Sequence, residues 1–385
     1  MKKKATLAAA VSIMMFSLFC SPIKQVDSFM NGTAPPPAYK ISETTEKFHN
    51  KLIIADLHCD ALLWERDLLE RHDWGHVDFP RLIEGNIAIQ AFTIVSLLPL
   101  TMNNSCNFST PDGYCCLAMM QGWPSGSWFN FRGRAMYQIK KLHEAERRSE
   151  GKFTLILSKK DLKIYLERRK VEPGITAGFI GIEGSYPLGG SSENLDAMFN
   201  AGVRMLGLTH FADSAMGGST HGFMKQGLTA EGRKLIKLMN RKGILIDLAH
   251  ASRKTIKDIL SITTRPVVFS HTGVKGMCDN NRNITDDEII GVAAKGGVIG
   301  IGFFSKATCG SDIGAVIESI KYVSDMAGVD HVALGSDFDG LVSTPVDSSN
   351  IIYITDALLK AGFTPEETAK IMGKNTVRVL MEVLP

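Results

Sequence analysis

Residues able to hold a metal recur at the ends of apolar runs. The first run is Leu52-Ile-Ile-Ala-Asp-Leu-His-Cys-Asp60. Strand side chains alternate faces, so His58 and Asp60 leave the run on one side, as two ligands of one ion would. Other runs end in Glu183 (Gly181-Ile-Glu-Gly184), Thr209-His210, His250 (Ile244-Leu-Ile-Asp-Leu-Ala-His250) and His271 (Val267-Val-Phe-Ser-His271). The last ends in Asp337 and Asp339 (Gly335-Ser-Asp-Phe-Asp-Gly340). For any one of these, a hydrogen-bonded polar strand end is explanation enough. Four of ten histidines at such ends, joined by several carboxylates, are a set that chance polarity does not explain.

The donor set suits a borderline ion such as Zn²⁺. A carboxylate can bridge two ions, and Glu183 falls between the first run and those of His250 and His271. Two sites follow: His58, Asp60 and Glu183; and Glu183, His250 and His271. Ions about 4 Å apart can share a hydroxide that is nucleophilic at neutral pH. Asp337 is then free to act as base and to pass the proton to a leaving amine. His210 is free to stabilise a developing oxyanion. Asp56 is expected to support the ligands from one layer deeper. Asp247 is expected to face away from them in a structural role, and Asp339 is a weaker pocket candidate than Asp337.

Positioning these ends requires parallel strands. Eight apolar, β-branched runs recur: Leu52–Leu57, Ala88–Ser96, Gly178–Ile182, Val203–Leu208, Ile244–Leu248, Pro266–Ser270, Gly297–Phe303 and His331–Gly335. Phe153–Leu157 is a further short run set apart from the eight. Helical patterns separate most of them, including about Arg132–Arg148, Thr229–Arg241, Asp286–Lys295 and a run from Thr364 to Leu384. The alternation predicts a single (β/α)₈ barrel whose active site lies at the C-terminal strand ends. The Met102–Phe131 stretch, without periodicity, reads as a lid or substrate wall.

The 385 residues are 44% apolar and 22% charged with net charge +3, which gives no pull toward nucleic acid. Lys2–Lys4, then an apolar stretch to Phe19 too short to span a membrane, read as a signal for export over residues 1–20. Ser17-Leu-Phe-Cys20 loosely matches a bacterial lipoprotein signal with a lipid on Cys20, though Phe19 is bulkier than the residue usual there; an ordinary cleaved signal peptide is the alternative, and either predicts an exported, periplasmic or surface-attached protein. Residues 21–46 with Pro35–Pro37 read as a tether, and 47–385 as the catalytic domain. Export permits disulfides. Cys278 with Cys309, in loops after late strands, is the expected pair, and Cys106 with Cys115 or Cys116 could staple the long loop. Cys59 reads as a buried thiol.

From about Leu52 to Leu380 the chain resembles the membrane (renal) dipeptidase family of zinc peptidases in the amidohydrolase superfamily. The resemblance rests on Asp56-Leu-His-Cys-Asp60, Gly181-Ile-Glu-Gly184, Leu208-Thr-His210, Ile246-Asp-Leu-Ala-His250, Phe269-Ser-His271, Asn281-Arg-Asn283 and Gly335-Ser-Asp-Phe-Asp-Gly340, among other matches. It implies two zinc ions on His58, Asp60, Glu183, His250 and His271, with Glu183 bridging. It also implies His210 at the substrate carbonyl, Arg282 on the substrate's C-terminal carboxylate, Asp337 as acid/base, and a homodimer. Tyr186 and Asp213 depart from the family pattern and are expected to line the pocket and set preference. The implied activity is dipeptide hydrolysis, with D-residues tolerated at the C-terminal position. The alternatives are an amidohydrolase acting on an N-acyl amino acid, β-lactam or lactone, and a non-catalytic binding lipoprotein. Many superfamily relatives carry a bridging lysine on the fourth strand, where this chain has Thr209-His210.

Overall fold

The computed structural model describes residues 23–385. The signal segment and Cys20 lie outside the described residues. Among the described residues nine parallel strands form: β1 (Ile54–Asp56), β2 (Ile87–Val95), β3 (Phe153–Leu155), β4 (Thr176–Glu183), β5 (Val203–Gly207), β6 (Leu245–Asp247), β7 (Val267–Thr272), β8 (Val298–Ile301) and β9 (Val332–Leu334). Eight of them close the barrel in the order β1-β2-β4-β5-β6-β7-β8-β9, with β9 returning to β1. The ninth is the run set apart from the eight in the sequence. β3 pairs only with Thr176–Gly178 of β4, and β5 pairs with β4 from Ile180 onward. β2 occupies the other edge of β4 throughout, so β3 fills the short edge below β5 without becoming a stave.

The strands are apolar on both faces, as a covered parallel sheet requires. Ala55, Met205, Leu245, Val268, Val298 and Ala333 belong to one buried cluster. Their chain neighbours Ile54, Leu206, Ile246, Phe269, Ile299 and Leu334 join Leu235, Ile289 and Ile320 of surrounding helices in a second. Local signals start the helices where expected. Thr229 caps Ala230–Lys242, and capping boxes at Thr285/Glu288 and Thr364/Glu367 open Asp286–Ala294 and Pro365–Ala369. The C-terminal run is not one helix. It breaks at Gly373, where a Cβ would lie 2.1 Å from the Ile53 carbonyl oxygen, and resumes as Asn375–Val383. Close approach to β1 overrides local helix propensity there.

The insertion between β2 and β3 folds against the barrel through three helices, Tyr114–Met120, Ser125–Trp128 and Phe131–Arg148. Among the described residues, no disulfide staples it. Cys106 is exposed, and the Sγ atoms of Cys115 and Cys116 are 3.9 Å apart and unbonded. The buried Arg134 guanidinium does that work, donating to Ser96 O (2.8 Å), Ser127 O (2.9 Å) and Asp112 Oδ2 (2.5 Å). The Cys278–Cys309 disulfide is present, and Cys59 is a free, buried thiol.

The expected tether is corrected by its described part. Residues Ile23–Met30 are a helix, and Asp27 on it is buried against Arg66 (2.9 Å), which in turn holds Asp339 (2.7 Å). Asn31 accepts from Leu341 N, and Gly32 and Ala34 exchange backbone hydrogen bonds with Thr344. A Pro-rich composition predicted a free linker, but one buried acid finding a buried arginine docks it.

Candidate active site

The ends of β1, β4, β5, β6, β7 and β9 bring His58, Asp60, Glu183, His210, His250, His271 and Asp337 around one buried point. Three triads of ligand atoms lie within 4.8 Å of one another: His58/Glu183/His271, Glu183/His210/His250 and His58/Asp60/Asp337. Glu183 joins the first two. Its Oε1 is 2.9 Å from His250 Nε2, 3.4 Å from His271 Nε2 and 3.9 Å from His58 Nε2. Its Oε2 is 3.1 Å from His210 Nε2. His58 Nε2 also lies 3.5 Å from Asp60 and 3.8 Å from Asp337.

This arrangement fits metal ions. His58 Nε2 and Glu183 Oε1 are buried without a hydrogen-bond partner. The Nε2 atoms of His250 and His271 face each other at 3.0 Å. Lone pairs converging in a buried site, with two further carboxylates, Asp60 and Asp337, beside them, call for cations. The carboxylates likewise draw positive charge to this point, a proton on His58 where no ion is bound. Burial disfavours a charged His58, yet Asp60, Glu183 and Asp337 outweigh it and lift its pKa to about 10. Burial, and then neighbouring positive charge, keep His250 and His271 neutral, the form that binds metal. Burial raises Glu183 well above the carboxylate range despite His58. Burial likewise raises Asp337 to about 7, against the pull of His58.

Two ligands share a support that the sequence reading missed. Ser270 Oγ lies 3.0 Å from His58 Nδ1 and 2.9 Å from His271 Nδ1, and donates to Asp247 Oδ2 at 2.6 Å. Ser270 N also donates to Asp247. Asp247 therefore does not face away from the site. Strand alternation holds only within a strand, and β6 ends at Asp247. His250, three residues on, is placed by a left-handed turn (φ 61°). Asp56 does support the site, by accepting from Gln90 Nε2 (2.7 Å) and from Ser336 N (2.8 Å) and Oγ (2.7 Å) beside Asp337. Thr93 Oγ1 fixes Asp60 at 2.6 Å.

A cavity of about 260 Å³ rises from this floor, lined by Asp60, Glu183, His210, Arg282 and Asp337, and by Thr101, Met102 and Asn104 of the insertion. The insertion is thus a pocket wall. His221 and Lys306, absent from the sequence reading, line it too. Burial, and then Arg282, push His221 down to about 3, while its Nδ1 lies 2.8 Å from Asn104 O. Tyr186 and Asp213 do not line the cavity. The Tyr186 hydroxyl donates to Ala212 O (2.6 Å) and accepts from His210 N (3.1 Å), so it braces His210 from behind. Asp213 accepts from the N–H groups of Ser219, Met224 and Lys225 and closes its own loop. Asp339 is likewise turned away, into Arg66 and the backbone of His76 and Val77.

The sequence profile of the membrane dipeptidase family, peptidase family M19, matches residues 42–384. The chain belongs to this family. Its curated relatives include dipeptidase aclJ of Aspergillus oryzae, 26% identical over 99% of this chain and 89% of that one. Another is dipeptidase tcpJ of Claviceps purpurea, 34% identical over 54% of this chain and 52% of that one. Among solved structures, a metallo peptidase from Rhodobacter sphaeroides, liganded with a phosphinate mimic of the dipeptide L-Ala-D-Ala, superposes with TM-score 0.72 at 22% identity. The match covers 86% of this chain and 99% of that one. This member of the family is a peptide-bond hydrolase on a metallopeptidase fold, and the barrel is the one its relatives share.

Proposed function

We propose that the chain is an exported, zinc-dependent dipeptidase, with two zinc ions held by His58, Asp60, Glu183, His250 and His271. The observation that carries this reading is the convergence of five ligand side chains through Glu183, with Asp337 and Arg282 in the same small cavity. When bound, the ions supply an acidified water and a Lewis acid at the scissile carbonyl.

The chain's own residues do the rest. Arg282, buried and anchored by Nη2 to His271 O at 2.5 Å, presents its remaining donors to the substrate's C-terminal carboxylate. Glu183 meets the free amine. Asp337 takes the proton of the attacking water and returns it to the leaving amine nitrogen, a task suited to a carboxyl raised toward neutrality. His210, with Nε2 3.1 Å from Glu183 Oε2 and Nδ1 3.3 Å from Leu97 O, is the donor to the developing oxyanion. Both chain ends of the substrate are thereby claimed within about 260 Å³, below the range of larger ligand pockets. Longer peptides are excluded for that reason. The phosphinate mimic seated on the Rhodobacter sphaeroides structure supports including L-Xaa-D-Xaa dipeptides.

The test is hydrolysis by zinc-loaded protein of L-Xaa-L-Xaa and L-Xaa-D-Xaa dipeptides beside the matching tri- and tetrapeptides, with metal counted by mass spectrometry. Dipeptide-restricted turnover at two zinc ions per chain is expected. Equal turnover of tetrapeptides, or full activity without metal, overturns the reading. Attachment through a lipidated Cys20 and a dimeric state belong to the same proposal. They are checked by the mass of the mature N-terminus and by light scattering.

A further inference from the structure

Two cations from successive loops line the same cavity, Arg282 buried near its floor and Lys306 exposed at its mouth. Arg282 follows β7, and Lys306 follows β8 in the short helix Ser305–Thr308. Both line the cavity. The Cys278–Cys309 disulfide joins the loops that carry them. One side chain, Asn280, also ties their backbones directly, accepting from Arg282 N at 2.8 Å and donating to Lys306 O at 2.8 Å. Asn283 repeats the tie, donating to Cys278 O (2.7 Å) and Ala307 O (2.8 Å). The loops press so closely that a Cβ on Gly273 would lie 1.9 Å from Ala307 O. The backbone positions that carry the two charges are therefore set by the fold, and only the Lys306 side chain is left to swing over the cavity.

Their surroundings differ. Arg282 is buried and faces the carboxylates of the floor. Lys306 is exposed and, among the described residues, has no carboxylate within ion-pair distance; its Nζ meets only Asn104 Oδ1, at 3.5 Å. The cavity's acids, Asp60, Glu183 and Asp337, are committed to the metal floor, and the rim around Lys306 is neutral. One substrate carboxylate satisfies Arg282. Lys306 is left for a second anionic group on the same half of the substrate.

We infer that Lys306 is a specificity-determining residue that favours dipeptides whose C-terminal residue carries an acidic side chain. This rests on the dipeptidase reading above. The experiment compares kcat/KM for Ala-Ala, Ala-Lys, Ala-Asp and Ala-Glu, including the D-forms of the second residue, in the zinc enzyme and in Lys306→Met, Lys306→Arg and Lys306→Glu. The wild type is expected to favour an acidic over a neutral second residue about fivefold, ~1 kcal/mol at a solvent-facing cation. The ratio should fall below about twofold in Lys306→Met, persist in Lys306→Arg, and turn toward Ala-Lys in Lys306→Glu. It should also shrink as salt is raised. Turnover of Ala-Ala with no acidic preference, or a preference that Lys306→Met leaves intact, overturns the inference while the dipeptidase reading stands. No turnover of any dipeptide overturns both.

Discussion

Asp337 and Asp339 stand two residues apart in one motif and belong to different regions. Asp337 faces the metal floor. Asp339 faces a buried rim built by Arg66, His76 and Asp27. Both have left-handed backbone (φ 64° and 62°), so the chain zigzags here instead of running on as a strand. The floor is assembled locally, each strand end delivering its own donor. The rim is assembled at long range, with a helix at residues 23–30 reaching the loop after β9, whose Gly340, Leu341 and Val342 line the cavity. Chemistry thus rests on strand geometry, while the shape of the mouth rests on buried charge pairs.

The contrast is most sharply broken at the floor. Asp337→Asn is expected to lower kcat about 100- to 10,000-fold with metal content retained, read by steady-state kinetics beside metal analysis. Loss of the metal as well would show that Asp337 serves as a ligand. One step out, Ser270→Ala removes the hydroxyl that orients His58 and His271. Metal affinity should weaken about 10- to 100-fold, measured by competition with a chelator. At the rim the effect should move from catalysis to stability and KM. Asp27→Ala leaves Arg66 short of one buried partner and is expected to destabilise by about 3 kcal/mol, raising KM more than it lowers kcat. Unchanged melting and KM would mean that the N-terminal helix does not hold the mouth.

The smallest effect on activity is expected far from both regions. Burial pushes His49 from 6.5 down to about 4. The unfolded chain then binds a proton that the folded chain refuses, so this contribution to stability is complete above pH 6.5 and is lost as pH falls toward 4. It amounts to on the order of 3 kcal/mol. Chemical denaturation across that window should show a shallower decline in His49→Gln.

Seven site residues, His58, Asp60, Glu183, His210, His250, His271 and Asp337, were legible as polar ends of apolar runs. The eight staves were legible too, because β-branched runs alternating with capped helices admit few other folds. Arg282 was reached only through family resemblance, since nothing in its loop marks it. Asp247 was misplaced because alternation was carried past the end of β6, and Ser270, inside β7, was passed over as one more strand hydroxyl. Tyr186 and Asp213 were misplaced because a departure from a family pattern says nothing about where a side chain points. Lys306, an ordinary surface lysine in one dimension, acquires meaning only beside Arg282.

Composition and periodicity by themselves determined the barrel, the donor set and its suitability for metal, because those follow from local alternation and side-chain chemistry. The tertiary structure alone decided which polar groups share the cavity, that the N-terminal segment is docked and that Lys306 lines the cavity that holds Arg282. Those depend on contacts between residues tens to hundreds of positions apart, where buried charges and hydrogen bonds, not local propensity, choose the partner.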